Sequence, residues 1–221
     1  MSHDSAATHD SSAVPTRPLK IALFGASGMV GSRIAAEAVS RGHEVTGYTR
    51  RGGQLPPGIT AATGDLADET TVKEAATTHD VVLSATGPSR TGESHQTWLD
   101  AVQNLVDHAI GARVLFVGGA GSLLTPEGTR LLDSPGFPPE YAAEASSGAA
   151  ALDLFLGAAE DLDWTFVSPA PVIAPGERTG SYRVALDSPA GDSISAEDYA
   201  VALVDELEQP RHRRRRFTVA S

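Results

Sequence analysis

The sequence predicts an α/β fold, a doubly wound parallel sheet with a small C-terminal substrate lobe. Three observations carry that expectation. Short apolar runs alternate with longer stretches of helical spacing through the first half of the chain. The first run, Leu19–Phe24, leads directly into a glycine turn, Gly25-Ala-Ser-Gly28-Met-Val-Gly31. Small residues recur where the later apolar runs end, which leaves room for a ligand at the carboxyl ends of the strands.

Taken in order, residues 1–18 are rich in Ser, Ala, Thr, Asp and His and lack an apolar period. They read as a disordered tail, leaving 19–221 as a single domain. Leu19–Phe24 is the first strand. Residues 28–41 form the first helix, with Met29, Ile34, Ala35, Ala38 and Val39 as its apolar positions and a stop near Gly42. Glu44–Thr49 is the second strand, followed by a Gly- and Pro-rich loop over 50–58. Ile59–Thr63, Val81–Ser84 and Val114–Val117 read as strands three to five. Glu69–Thr77 and the amphipathic stretch Ser94–Ile110 read as the helices between them. The second half is less regular. Leu123–Pro139 reads as a long loop, of the kind that is usually functional or mobile. Tyr141–Glu160 is an alanine-rich helix with a break expected near Ser146–Gly148. Trp164–Ser168 is a sixth strand and Tyr182–Leu186 a short one. Ser195-Ala-Glu-Asp198 has a capping pattern that opens a helix running to Leu207, and Arg216–Ala220 is a last strand.

Composition narrows the function. A length of 221 residues supports one substantial core. The net charge of −11 disfavours nucleic acid as a partner, because phosphate contacts need clustered Lys and Arg. The one basic cluster, Arg211–Arg216, reads as a solvated turn. No apolar run reaches the roughly 18 residues of a membrane span, and residues 1–18 hold no secretory apolar segment. The absence of cysteine fits a reducing cytoplasm, the expected location. The seven histidines show no paired-ligand spacing, so no metal is expected.

Strand, glycine turn and helix together point to a dinucleotide. The free N–H groups and positive dipole at the start of a helix hold a pyrophosphate. Gly25 allows the tight turn, Gly28 lets the phosphates approach, and Gly31 lets the helix pack closely. The spacing is G-x-x-G-x-x-G, not the more usual G-x-G-x-x-G. The second strand ends Tyr48-Thr49-Arg50-Arg51 with no acidic residue to take a ribose 2′-OH. That favours NADP over NAD, with Arg50 as the candidate for the 2′-phosphate and Thr49 as a hydroxyl donor. Asp65, after the third strand, either borders the adenine or caps the turn that follows it.

The sequence resembles the atypical short-chain dehydrogenase/reductases, in particular the small NAD(P)-binding proteins described as NADH-flavin reductases. More distantly it is similar to biliverdin reductase B and the NmrA-like regulators. The resemblance runs from Lys20 to the C-terminus. It rests on Ile21–Gly31, Gly64-Asp-Leu66, Val117–Ser122, Asp133–Tyr141, Leu162–Ala170, Pro175–Arg183 and Ile194–Ala202. It implies a Rossmann domain that holds NAD(P), with the small C-terminal lobe over the nicotinamide. Carried over by residue, it implies Gly25, Ser27, Gly28, Met29 and Val30 at the pyrophosphate and Arg50 at the adenosine ribose or its phosphate. Asp65 and Leu66 would border the adenine. Ala85, Thr86 and Gly87 would line the path to the nicotinamide ribose. Gly118, Gly119 and Ser122 would lie under the nicotinamide, and Pro169 and Ala170 would meet its carboxamide.

The departure from the ordinary family pattern bears on the chemistry. Ordinary members use Tyr-x-x-x-Lys, in which the lysine lowers the tyrosine pKa for proton transfer. Here the residue four after Tyr141 is Ala145, Tyr48, Tyr182 and Tyr199 lack such a lysine too, and Lys20 and Lys73 are the only lysines. Two readings follow. One is a reductase passing hydride to a flavin (FMN or FAD), a quinone or a similar flat small-molecule acceptor, which needs little acid catalysis. Ser122 and then Tyr141 are its candidate acceptor contacts. His95, expected to be solvated, is a third candidate, and Arg178 is a candidate for an anionic substrate. The alternative is a non-catalytic NADP-binding redox sensor.

Overall fold

The structure, a computed structural model, describes residues 17–50, 52 and 54–221. The chain alternates β1 (Lys20–Phe24), α1 (Met29–Ser40), β2 (Glu44–Thr49), β3 (Thr60–Thr63), α2 (Glu69–Thr78), β4 (Val81–Ser84), α3 (His95–His108) and β5 (Arg113–Val117). There follow α4 (Pro139–Leu156), β6 (Trp164–Pro169), β7 (Val172–Ala174), β8 (Arg183–Ala185), β9 (Ser193–Ser195), α5 (Ala196–Glu208) and β10 (Arg215–Ala220). Eight strands form one sheet in the order β3-β2-β1-β4-β5-β6-β10-β8, parallel throughout except for β8 against β10. The order reverses between β1 and β4, the switch point at which doubly wound sheets bind ligands.

The strands are apolar on both faces because both faces are covered. Ile21 and Leu23 of β1 pack with Ile34 and Ala38 of α1 and with α5 residues Tyr199 to Leu207. Ala22 and Phe24 point the other way, into a core shared with α2, α3 and α4. Helices α1 and α5 run side by side, tied by Arg33–Glu197 at 2.7 Å and Arg41–Asp205 at 2.6 Å. No described helix is long and apolar enough to cross a membrane.

Several expectations are corrected. Helix α4 starts at Pro139, runs unbroken past Ser146–Gly148 and ends at Leu156. Segment 123–139 is not an open loop. It holds a 3-10 turn at Leu131–Asp133 and a bridge between Leu124 and Arg130. Strands β7 and β9 pair only with each other over three residues, too short for a period to be read from the sequence. The expected disordered tail lies mostly outside the described residues. Its last part, Arg17, pairs with Asp80 at 2.7 Å.

The basic cluster forms the expected turn before β10, with Arg211, Arg213, Arg214 and Arg215 exposed, but Arg213, Arg214 and Arg216 hold partners elsewhere in the chain. Arg213 pairs with Asp163, and Arg214 donates to the carbonyls of Ala159, Glu160 and Leu162 beyond α4. Arg216 is buried and pairs with Asp187 at 2.6 Å.

Candidate functional site

Parallel pairing of β3, β2, β1, β4, β5 and β6 brings the ends of all six strands to one edge. Gly25–Gly31, Thr49–Arg50, Asp65–Leu66, Ala85–Gly87, Gly118–Ser122 and Pro169–Ala170 therefore meet there. At the centre, Gly25 has φ +85°, which L side chains rarely adopt, and a Cβ on it would lie 2.7 Å from the Ala85 carbonyl oxygen. The Gly28 N–H donates to the Gly25 carbonyl at 3.0 Å, which closes the turn. A Cβ on Gly31 would lie only 2.1 Å from that same carbonyl oxygen. Gly31 thus packs the helix onto the turn itself.

Helix α1 begins without a side-chain cap and without an acidic residue in its first turn. By contrast, Asp68, Ser94 and Ser195 cap α2, α3 and α5, and α4 carries Glu140 in its first turn. The start of α1 is left positive and exposed at Ser27, Gly28 and Met29, while Val30 is half-buried.

Arg50 is exposed at the end of β2 next to half-buried Thr49; Arg51 lies outside the described residues. Asp65 accepts from the Ala67 N–H at 3.1 Å, so it caps the following turn, the second of its two readings. Leu66 is buried in the core, and its carbonyl accepts from the Asn104 side chain at 2.8 Å. The Thr86 hydroxyl lies 2.9 Å from that of Ser84 and accepts from the Trp98 ring N–H at 3.2 Å. Gly118 leaves room for the Phe166 ring, whose atoms would lie 1.9 Å from a Cβ there, and Gly119 borders open space. Pro169 and Ala170 are buried at the end of β6.

The candidates for acceptor contact separate. Ser122 is buried in a 3-10 turn after β5, and both its hydroxyl and its carbonyl accept from Arg216, at 3.1 and 2.7 Å. Tyr141 lies on the first turn of α4 and is 59% exposed, so it is not packed away against the prolines before it. His95 is not solvated as expected. Its Nδ1 lies 2.8 Å from the Ser147 hydroxyl and its Nε2 2.9 Å from the Ser89 carbonyl.

Arg178 is not free for an anionic substrate, because it grips the buried Glu37 carboxylate at 2.7 and 2.8 Å. The rest of that segment is similarly occupied. The Asp198 carboxylate accepts from the N–H groups of Thr179 and Gly180 at 2.8 Å and from the Thr179 hydroxyl at 2.7 Å. The Tyr182 hydroxyl donates to Asp205 at 2.6 Å. Residues 178–182 are a strap that ties the segment between β7 and β8 to α1 and α5.

Three tyrosines have phenols raised above their ordinary pKa. Burial, then Asp205, pushes the Tyr182 phenol far up. Burial alone raises Tyr199, whose hydroxyl donates to the Val167 carbonyl at 2.6 Å. Burial, then Glu74, raises Tyr48.

A family model described as NAD(P)H-binding matches residues 25–210. The chain belongs to the NAD(P)H-binding family. Among relatives of this NAD(P)H-binding protein, YwnB of Bacillus subtilis (strain 168), whose function is uncharacterised, is 40% identical over 212 residues, 92% of this chain and 99% of YwnB. A crystal structure of a "putative exported protein" from Burkholderia pseudomallei is 44% identical, with a TM-score of 0.82, over 92% of this chain and 100% of that one. One of a "putative NADH-flavin reductase" from Streptococcus pneumoniae TIGR4 is 36% identical, with a TM-score of 0.84, over 92% and 99%. The fold is that of NAD(P)-binding reductases.

The site features that were not legible in the sequence are the ties that span it. Ser147 to His95, Arg216 to Ser122 and Asp198 to Thr179 link residues far apart in the chain, and no local spacing signals them.

Proposed function

We propose that the protein is an NAD(P)H-dependent reductase that passes hydride to a flavin, quinone or similar flat acceptor, with NADP preferred to NAD. The observation that carries the reading is the uncapped, acid-free start of α1 behind a turn whose glycines admit no side chain. Those N–H groups suit a pyrophosphate. Residues Gly25 to Gly31 would hold it, Arg50 and Thr49 would meet the 2′-phosphate, and Thr86 with Gly87 would flank the nicotinamide ribose. When bound, the cofactor supplies the hydride.

The chain's part is to align donor and acceptor and to keep the space between them narrow. An acceptor that is already electrophilic needs no strong protein acid, which fits a chain without a Tyr-x-x-x-Lys pair and with Tyr182 and Tyr199 locked as phenols. Tyr141, exposed on the first turn of α4, would touch the acceptor. Ser122, gripped by Arg216, shapes the floor. The similarity to a protein described as an NADH-flavin reductase supports the acceptor class.

The test mixes the protein with NADPH and FMN or a simple quinone and follows the nicotinamide absorbance. Oxidation well above background is expected. NADPH binding with no oxidation by any acceptor would remove the reductase reading in favour of a redox sensor.

The cofactor preference has its own test. Arg50→Ala is expected to weaken NADPH about tenfold or more, the loss of a charge-assisted contact, and to leave NADH nearly unchanged. Equal losses for both would take the 2′-phosphate role from Arg50.

A further inference from the structure

Of the described histidines, His43, His79, His108 and His212 all lie where the chain enters a strand, at the edge opposite the glycine turn. His95 alone follows a strand end and stands on the site's own edge. Its two ring nitrogens join three segments. Nε2 faces the Ser89 carbonyl at 2.9 Å, and a carbonyl only accepts, so Nε2 carries a proton. Nδ1 faces the hydroxyl of Ser147, a buried residue of α4, at 2.8 Å.

Ser89 orders the loop between β4 and α3 in turn. Its hydroxyl accepts from the N–H groups of Thr91 and Glu93 at 3.1 and 3.3 Å. A second tie lies alongside, because Arg90 grips Glu144, three residues before Ser147 and so on the same side of α4. That pair is largely exposed and contributes little by itself. One turn after His95, Trp98 donates to Thr86, the second residue of the loop. The first turn of α3 therefore holds Thr86 with one side chain and is itself held to α4 and to the loop by the other.

We infer that His95 is a positioning residue. Through Ser147 and Ser89 it clasps the β4–α3 loop to α4 and so sets the wall, Thr86 and Gly87, against the nicotinamide half of the cofactor. This rests on the cofactor placement proposed above. The clasp would act on the nicotinamide half of the dinucleotide and not on its adenosine diphosphate half, which meets the glycine turn and the end of β2.

Three variants and two ligands test it. His95→Asn keeps a polar group only at the Nδ1 position, His95→Gln only at the Nε2 position, and Ser147→Ala removes the α4 partner. Calorimetry would compare NADPH with ADP, which lacks the nicotinamide half. Amide exchange across residues 87–94 would be followed in the protein without ligand. Each variant is expected to weaken NADPH about tenfold, the effect of one lost hydrogen bond, to leave ADP within about twofold, and to speed exchange in 87–94 by a similar factor. Equal weakening of ADP and NADPH, or unchanged exchange in all three variants, would overturn the clasp. Failure of the unaltered protein to bind NADPH would instead overturn the proposed function, and the exchange measurement would still decide whether the clasp exists.

Discussion

Gly31→Ala is expected to abolish most cofactor binding and to lower the melting temperature at the same time. A Cβ at this position meets the Gly25 carbonyl oxygen at 2.1 Å and the Ala26 Cα at 3.2 Å, so backbone and not a flexible side chain must give way. Overpacking of this kind costs about 1–3 kcal/mol. For a domain of this size that corresponds to a fall in melting temperature of roughly 2–12 °C. Moving the start of α1 off the turn also misaims its free N–H groups. The loss of two charge-assisted hydrogen bonds would weaken NADPH by about two orders of magnitude or more.

A control lies in α4. Gly148 is also helical, but a Cβ there meets nothing within 4 Å. Gly148→Ala is expected to stabilise the protein by roughly 0.5–1 kcal/mol, because it removes only the excess freedom of glycine in a helix. Thermal melts and NADPH titration of the two variants check this together. Normal melting and binding for Gly31→Ala would show that the turn is not the close contact described here.

The second large effect is expected at Glu206, on the far side of α5 from the cofactor edge. Its carboxylate accepts from Arg113 at 2.5 Å, from the His212 ring at 2.7 Å, and from the N–H groups of Arg211 and His212 at 3.1 and 3.0 Å. Both Glu206 and Arg113 are buried. Glu206→Ala leaves the Arg113 guanidinium buried without its counter-charge, which costs about 3–5 kcal/mol. The melting temperature should fall by roughly 6–20 °C. The site edge is untouched, so NADPH affinity measured well below the melting point should stay near that of the unaltered protein. A loss of less than about 1 kcal/mol would show that the pair adds little to stability.

Acid makes the same point with the opposite handle. Burial raises the Glu206 pKa, but the His212 hydrogen bonds and the Arg113 charge more than reverse it, and the carboxyl titrates below its ordinary 4.5. A carboxyl depressed by folding contributes stability that is full above its unfolded pKa and is lost as pH falls through the folded one. Glu37 behaves alike: burial raises its pKa, and Arg178 and Arg41 together more than reverse that. Stability of the unaltered protein should therefore drop as pH falls below about 4.5. Glu206→Gln should lose part of that slope and keep the part due to Glu37. A slope identical to that of the unaltered protein would remove Glu206 from the acid response.

How much of this was legible in the sequence can be traced to particular residues. Leu19–Phe24 with its glycine turn, the small strand tails and the alternation of apolar runs with helical spacing are local patterns, and the β1–α1–β2 unit and the parallel sheet followed from them. Burial on both faces makes such strands plain apolar runs, and a helix that packs on one face must repeat every three to four residues. The glycine turn was readable for the same reason. A left-handed φ at Gly25 and a carbonyl against Gly31 are demands made within seven residues of chain.

Family pattern, absence of the tyrosine–lysine pair and lack of an acidic residue after β2 were likewise open to inspection of the sequence alone. What only the tertiary structure decided is the partner of each polar side chain. Arg178 could have met an anionic substrate or stood in solvent, and it meets Glu37, far away in the chain. Ser122 could have faced the acceptor, and Arg216 holds it. His95 read as a solvated helix start, and it bridges Ser89 and Ser147. The physical reason is common to all three. Backbone conformation and hydrophobic periodicity are set by near neighbours in sequence, whereas a buried hydrogen bond is set by whichever element the sheet order brings alongside.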